Sequence, residues 1–159
     1  MASSIRKLIT DIVLRLIDGG PLEDYPVLKG GRVDKNRHLP IGRDEFPRYS
    51  VYFIHESPRP VGNPRRPVIL DRTLTIETRI LVFGNDDEAD QHCQWIISKL
   101  GGAEHLIGMD GTRLTLNISE GETVFAPLEG SEGKITNTTI RWVIEYKTLP
   151  ADITKVSAS

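Results

Sequence analysis

The chain is short of cysteine: Cys93 stands alone, so no internal disulfide can form, and no run of Cys with His has the spacing of a zinc site. That usage suits folding in a reducing cytoplasm. Net charge is also small, with 20 Lys+Arg against 22 Asp+Glu and a formal value of -2. No global field is expected to draw such a chain onto nucleic acid or an anionic membrane, and any basic site must be local. Long apolar runs are missing too. The opening segment MASSIRKLITDIVLRLIDGG is broken by Arg6, Lys7, Asp11 and Arg15, unlike the continuous block of a signal peptide or membrane span, so a soluble protein is expected. The glycine pairs at 19/20, 30/31 and 101/102 come with no GxGxxG or GxxxxGK[ST] pattern, which leaves them turn and cap roles rather than a phosphate cradle.

Groups for bond chemistry are scattered. His38, His55, His92 and His105 show no HxH, HExxH or HxxxH spacing. His92 and Cys93 adjoin, but neighbouring helical side chains point about 100° apart, so a buried Cys beside a surface His is expected rather than a catalytic pair. Asp86, Asp87, Glu88 and Asp90 fan around a first helical turn without the alternating ligands of a calcium loop, and read as helix capping. The expectation is a protein that is not an enzyme and uses no cofactor or metal.

What is present is ordinary globular material. At 159 residues, 38% hydrophobic and 26% charged, the chain suits one domain, expected over 1–150 with a flexible tail over 151–159. Ile5, Leu8, Ile9, Ile12, Val13, Leu16 and Ile17 fall on one arc of a helix from Ser4 to Asp18, which Gly19, Gly20 and Pro21 stop. Residues 19–47 read as a long connection holding at most one short strand. Arg48–Glu56 reads as a strand. The four prolines of SPRPVGNPRRP then predict a projecting loop over about 57–70. Thr73–Phe83 alternates, with Leu74, Ile76, Thr78, Ile80 and Val82 facing a core and Thr75, Glu77 and Arg79 facing water. A second helix is expected over Asp86–Leu100, opened by a capping-box-like Asn85 and Glu88, with Ala89, Cys93, Ile96, Ile97 and Leu100 as its stripe. Arg113–Ser119, Glu122–Pro127 and Ile135–Thr148 read as three strands of a meander separated by SEG and LEGSEGK. This order predicts an α+β fold: an antiparallel sheet of four to five strands with two helices on one face.

Two features point to contacts with other molecules. Arg59, Arg65, Arg66 and Arg72 form the one local concentration of positive charge, and without interleaved aromatics a solvated loop or a protein contact is favoured over DNA or RNA. Leu14 and Trp95 sit off their helices' stripes. A lone exposed Leu means little, but Trp is enriched at interfaces, and an intermolecular role is favoured for Trp95.

The layout resembles a known family. An amphipathic first helix, a connection containing LPIG, the segment RTLTIETRILVFGNDDEADQHCQWIISKL and the closing TTIRWVIEYKTLPADI, with Tyr146, Thr148 and Asp152, are similar to phage tail terminators, also called minor tail or tail completion proteins. The resemblance spans about 4–152 and departs from compact members at 19–47 and 55–70. It implies a virion subunit, made in the host cytoplasm, that forms a homohexameric ring on the tail tube at the tail-neck junction. The ring would stop polymerisation and offer a surface to neck or head-tail connector proteins, with the sheath as a further neighbour. Leu14, Arg59, Arg65, Arg66, Arg72 and Trp95 would then be its contact residues. Another connector component, or a nucleic-acid-binding module using the arginines, are the alternatives.

Overall fold

A computed structural model describes residues 3–18, 33–35, 47–61, 69–83, 86–103, 106–107, 111–127, 135–150 and 152–156. The elements run α1 (Ile5–Ile17), β1 (Val33–Lys35), β2 (Arg48–Val61), β3 (Ile69–Phe83), α2 (Asp86–Leu100), β4 (Asn117–Pro127), β5 (Ile135–Leu149) and β6 (Asp152–Val156). Four long antiparallel strands lie in the order β2-β3-β5-β4. The expected α+β architecture is what forms, with β1 added in parallel to β2 and β6 folded back on β5.

Period decides each face. Along β5, burial alternates residue by residue, placing Ile140, Trp142, Ile144 and Tyr146 in the core. Register sets Leu74, Ile76, Thr78 and Ile80 of β3 opposite Ile144, Trp142, Ile140 and Thr138. Against this face pack Ile5, Ile9, Val13 and Ile17 of α1 and Ala89, Cys93, Ile96 and Leu100 of α2, all buried. Ser4 caps α1 by accepting from the Lys7 amide at 3.1 Å. Leu106 and Leu114 close the core below α2, where the Thr115 hydroxyl accepts from the Leu106 amide at 2.6 Å.

Four expectations need correction. The loop expected over about 57–70 is taken up at both ends by strand, since β2 runs on to Val61 through Pro58 and Pro60 and β3 starts at Ile69, while 62–68 lie outside the described residues. These prolines lie two apart, so both missing donors fall on one side of the strand. Along this stretch β2 has a single neighbour, and an edge tolerates them. Second, SEG is no turn: β4 passes through it with a shift of register between Glu120 and Thr123. A Cβ on Gly121 would stand 3.2 Å from the Arg141 carbonyl oxygen, so the glycine permits a bulge where a hairpin was expected. Third, the tail expected to be loose holds β6. Thr148 pairs with Leu70 on one side and with Val156 on the other, so β6 takes the β5 edge beyond the end of β4. Fourth, the outer face of β3 is not simply wet, since Glu77 is buried. Asn85, with its proposed cap, lies outside the described residues.

A bulge also reshapes β2. Phe53 stands opposite Ile76 and Glu56 opposite Leu74, so two residues three apart share the helix-covered face and the slip falls at Ile54 and His55. That slip aims Glu56 beneath α1. Its carboxylate accepts from Arg6 of α1 at 2.7 and 3.2 Å, from Arg72 of β3 at 3.0 Å and from the Tyr146 hydroxyl of β5. Burial works against this charge, but the hydrogen bonds from Arg6 and Tyr146 and the Arg6 charge outweigh it and hold Glu56 below the usual carboxylate range. One side chain thus ties a helix and three strands together.

Candidate interaction surfaces

Two groups capable of chemistry, His92 and Cys93, are sealed in. His92, expected at the surface, is fully buried, and its Nδ1 shares a hydrogen bond with the Tyr49 hydroxyl of β2. The reason is geometric: the apolar stripe of α2 is broad enough to include position 92 beside Cys93 and Ala89. Burial lowers the His92 pKa to about 4 and raises that of Tyr49, so the imidazole is neutral at physiological pH. Cys93 is buried too, and burial followed by Asp90 and Glu120 pushes its thiol up, away from the reactive thiolate. Among the described residues no group of three His, Cys, Asp or Glu could hold a metal ion, and no helix is long and apolar enough to cross a membrane.

The Tyr49–His92 pair has a pH signature. The folded pKa near 4 lies below the unfolded value of 6.5, so the contribution of neutral His92 is complete above pH 6.5 and lost as pH falls towards 4. A shift of this size corresponds to about 3 kcal/mol. Urea unfolding should show that loss, and His92→Phe should remove it while costing about 1–3 kcal/mol at pH 7.5, because the Tyr49 hydroxyl loses its partner.

The contact residues expected from sequence are not brought together. Leu14 is half-buried against the core. Trp95 is half-buried as well: its Nε1 donates to the Ile17 carbonyl at the end of α1 at 3.4 Å, and the Lys99 ammonium stands 4.5 Å from its ring. The off-stripe position of Trp95 therefore has an internal explanation, since it bridges the two helices. Arg72 is turned inward to Glu56 and to the Thr148 hydroxyl at 2.7 Å, with its side chain 13% exposed, so it leaves the positive cluster. Arg59 is exposed on the outer face of β2 opposite Asp71. Arg65 and Arg66 lie outside the described residues.

Sequence reasoning missed the surface at the other side of the sheet. Among the described residues β4 has one strand neighbour, β5, so one row of its backbone N–H and C=O groups has no described strand beside it. Val124 and Phe125 are 46% and 57% exposed there. Consecutive strand residues point to opposite faces, and at an edge neither face is fully covered. On the same strand Glu120 and Glu122 are exposed, as are Asp87 and Asp90 of α2. The signal was the apolar pair in GETVFAP, which only a known strand order reveals as an edge.

Beside this edge the outer face carries an open depression of about 310 Å³ that includes Glu77, Arg79, Arg141, Glu122 and Val124. The Glu77 carboxylate accepts from Arg79 at 2.8 and 3.1 Å and from Arg141 at 3.1 Å, while the Arg79 guanidinium stacks 4.1 Å from the Tyr52 ring centre. These groups satisfy one another across β2, β3 and β5. The face is built as a polar surface, on which the Ser57 hydroxyl and His55 Nε2 of β2 also stand 3.3 Å apart.

No protein-family model matches the sequence, and no curated protein does. The fold has a counterpart. The chain is similar to a chain of a structure described as the virion of native gene transfer agent (GTA) particle, with a TM-score of 0.58 and 11% identity, over 89% of this chain and 97% of that one. At that identity the likeness establishes a shared fold. It extends over nearly the whole of both chains.

Proposed function

We propose that the chain is a structural virion subunit, a tail terminator that closes the tail tube as a six-membered ring and offers its free side to neck or head-tail connector proteins. The observation that carries this reading is the fold shared with a chain of a virion particle over nearly its full length. The sequence layout from the first helix to Tyr146, Thr148 and Asp152 supports it independently. The burial of His92 and Cys93 is compatible with it, since it withdraws both groups from the described surface.

Ending a polymer needs no bond chemistry. A ring that matches the last tube ring on one side and lacks tube-like contacts on the other stops growth by geometry alone. A ring also needs two different patches per subunit, and the two sheet edges differ: the β4 edge carries exposed apolar groups among acids, and the β2 edge carries two prolines and Arg59. The inward turn of Arg72 weakens the nucleic-acid reading, which loses one of its four cations.

Deleting the gene in the producing phage or particle should yield tails of uncontrolled, excessive length. Tails of normal length that stay unattached to heads would instead make the protein a connector component.

A further inference from the structure

We propose that the outer edge of β4 is one half of a head-to-tail contact whose other half is the β2–β3 hairpin of a second copy of this chain, with Arg59 meeting Glu120 and Glu122 and the hairpin covering Phe125. The inference rests on the ring reading and names its interface. Three observations carry it. The first is the strand order, which among the described residues leaves one row of β4 backbone groups without a strand partner and sets Arg59 at the opposite edge of the same sheet. A contact joining opposite edges repeats in one direction from copy to copy, as a ring requires.

The second is Phe125, 57% exposed at an edge whose only strand neighbour among the described residues is β5. The large apolar ring stays more than half exposed although it borders a buried residue, Thr138.

The third is charge. Glu120 and Glu122 are exposed on β4, and Asp87 and Asp90 are exposed on α2, which the burial of Cys93 near Asp90 and Glu120 places alongside. A two-fold pairing of β4 with β4 of another copy, centred on the strand, would set Glu122 against Glu122. Like charges directly opposite are destabilising, so the edge disfavours a symmetric dimer and favours a cationic partner. Arg59 supplies the cation. Pro58 and Pro60 flank it and deprive its strand of ladder donors, so the hairpin meets β4 through side chains rather than by full strand addition.

The test is a charge-reversal series on the full chain, read by native mass spectrometry and sedimentation, with circular dichroism to confirm folding. The wild type should assemble. Glu120→Lys with Glu122→Lys should shift assembly toward monomer by about 100-fold or more in concentration, since close charge pairs across an interface are strongly coupled. Adding Arg59→Glu to that variant should recover assembly. Phe125→Ser alone should also weaken assembly without loss of fold. If the Lys variant assembles as the wild type does, β4 is not the interface, while the ring reading stands. If it fails to assemble and Arg59→Glu restores nothing, the hairpin is not the partner. If the wild type is monomeric at every concentration, the ring reading falls and takes this contact with it.

Discussion

Glu56→Ala is expected to destabilise the fold by about 2–4 kcal/mol. Removing one member of a buried ionic cluster leaves the others uncompensated, and here Arg72, 13% exposed at its side chain, would lose its carboxylate and the Tyr146 hydroxyl its acceptor. The partial exposure of Arg6, 36% at its side chain, keeps the loss at the lower part of the range seen for buried pairs. The pH dependence has a definite sign. Because the folded carboxyl titrates below its ordinary value of 4.5, its contribution is present above that pH and lost as pH falls through the lowered folded value. Glu56→Gln keeps the shape and should flatten this acid limb, a difference that urea unfolding at pH 7 and below pH 4.5 would measure.

Trp142→Ala should cost more, about 3–5 kcal/mol. The ring is fully buried on β5, opposite Ile76 of β3, and its Nε1 donates to the Thr78 hydroxyl at 3.1 Å. Truncation would open a cavity at the centre of the sheet and strip a buried hydroxyl of its donor. Against the 5–15 kcal/mol that holds an ordinary domain together, such a loss brings the chain near unfolding at growth temperature. Trp95→Ala makes the contrast. Half-buried and holding only a long bond to the Ile17 carbonyl, Trp95 should cost about 1–2 kcal/mol, which loosens α1 against α2 without emptying the core. Thermal melts of the two variants would separate a core tryptophan from a bridging one.

Much of the fold was legible because period and burial agree. The alternation through Ile140, Trp142, Ile144 and Tyr146 marks a strand with one covered face, and Asp86–Leu100 has both a helical stripe and a glycine finish. The corrections come from places where local chemistry reads one way and the strand order another. Proline argues against a strand until the strand is known to be an edge, and β2 is one at Pro58 and Pro60. Gly121 argues for a turn until its neighbour is known to be the Arg141 carbonyl, where a bulge needs a residue without Cβ. β6 is short and polar, and it forms because β4 ends early and leaves the β5 edge open.

The contact residues were harder to read for the same reason. Trp95 drew notice for lying off its helix's stripe and Arg72 as part of a positive cluster, and tertiary structure gives each an internal partner. A one-residue slip at Ile54 makes Glu56 the tie between α1 and the sheet, and no local pattern announces it. Val124 and Phe125 lie in a segment legible only as a strand, and the order β2-β3-β5-β4 is what sets that strand at an edge of the described sheet. An edge is a property of the sheet, and no single segment encodes it.

If the subunit works by assembling, as proposed, its rings are visible by imaging. The purified chain, alone and mixed with tail tubes, should be followed by native mass spectrometry and negative-stain microscopy. The account predicts a closed six-membered ring seated on one end of each tube, and tubes so capped that no longer elongate when fresh tube protein is added. Monomers throughout, with bare tubes that go on growing, would contradict it.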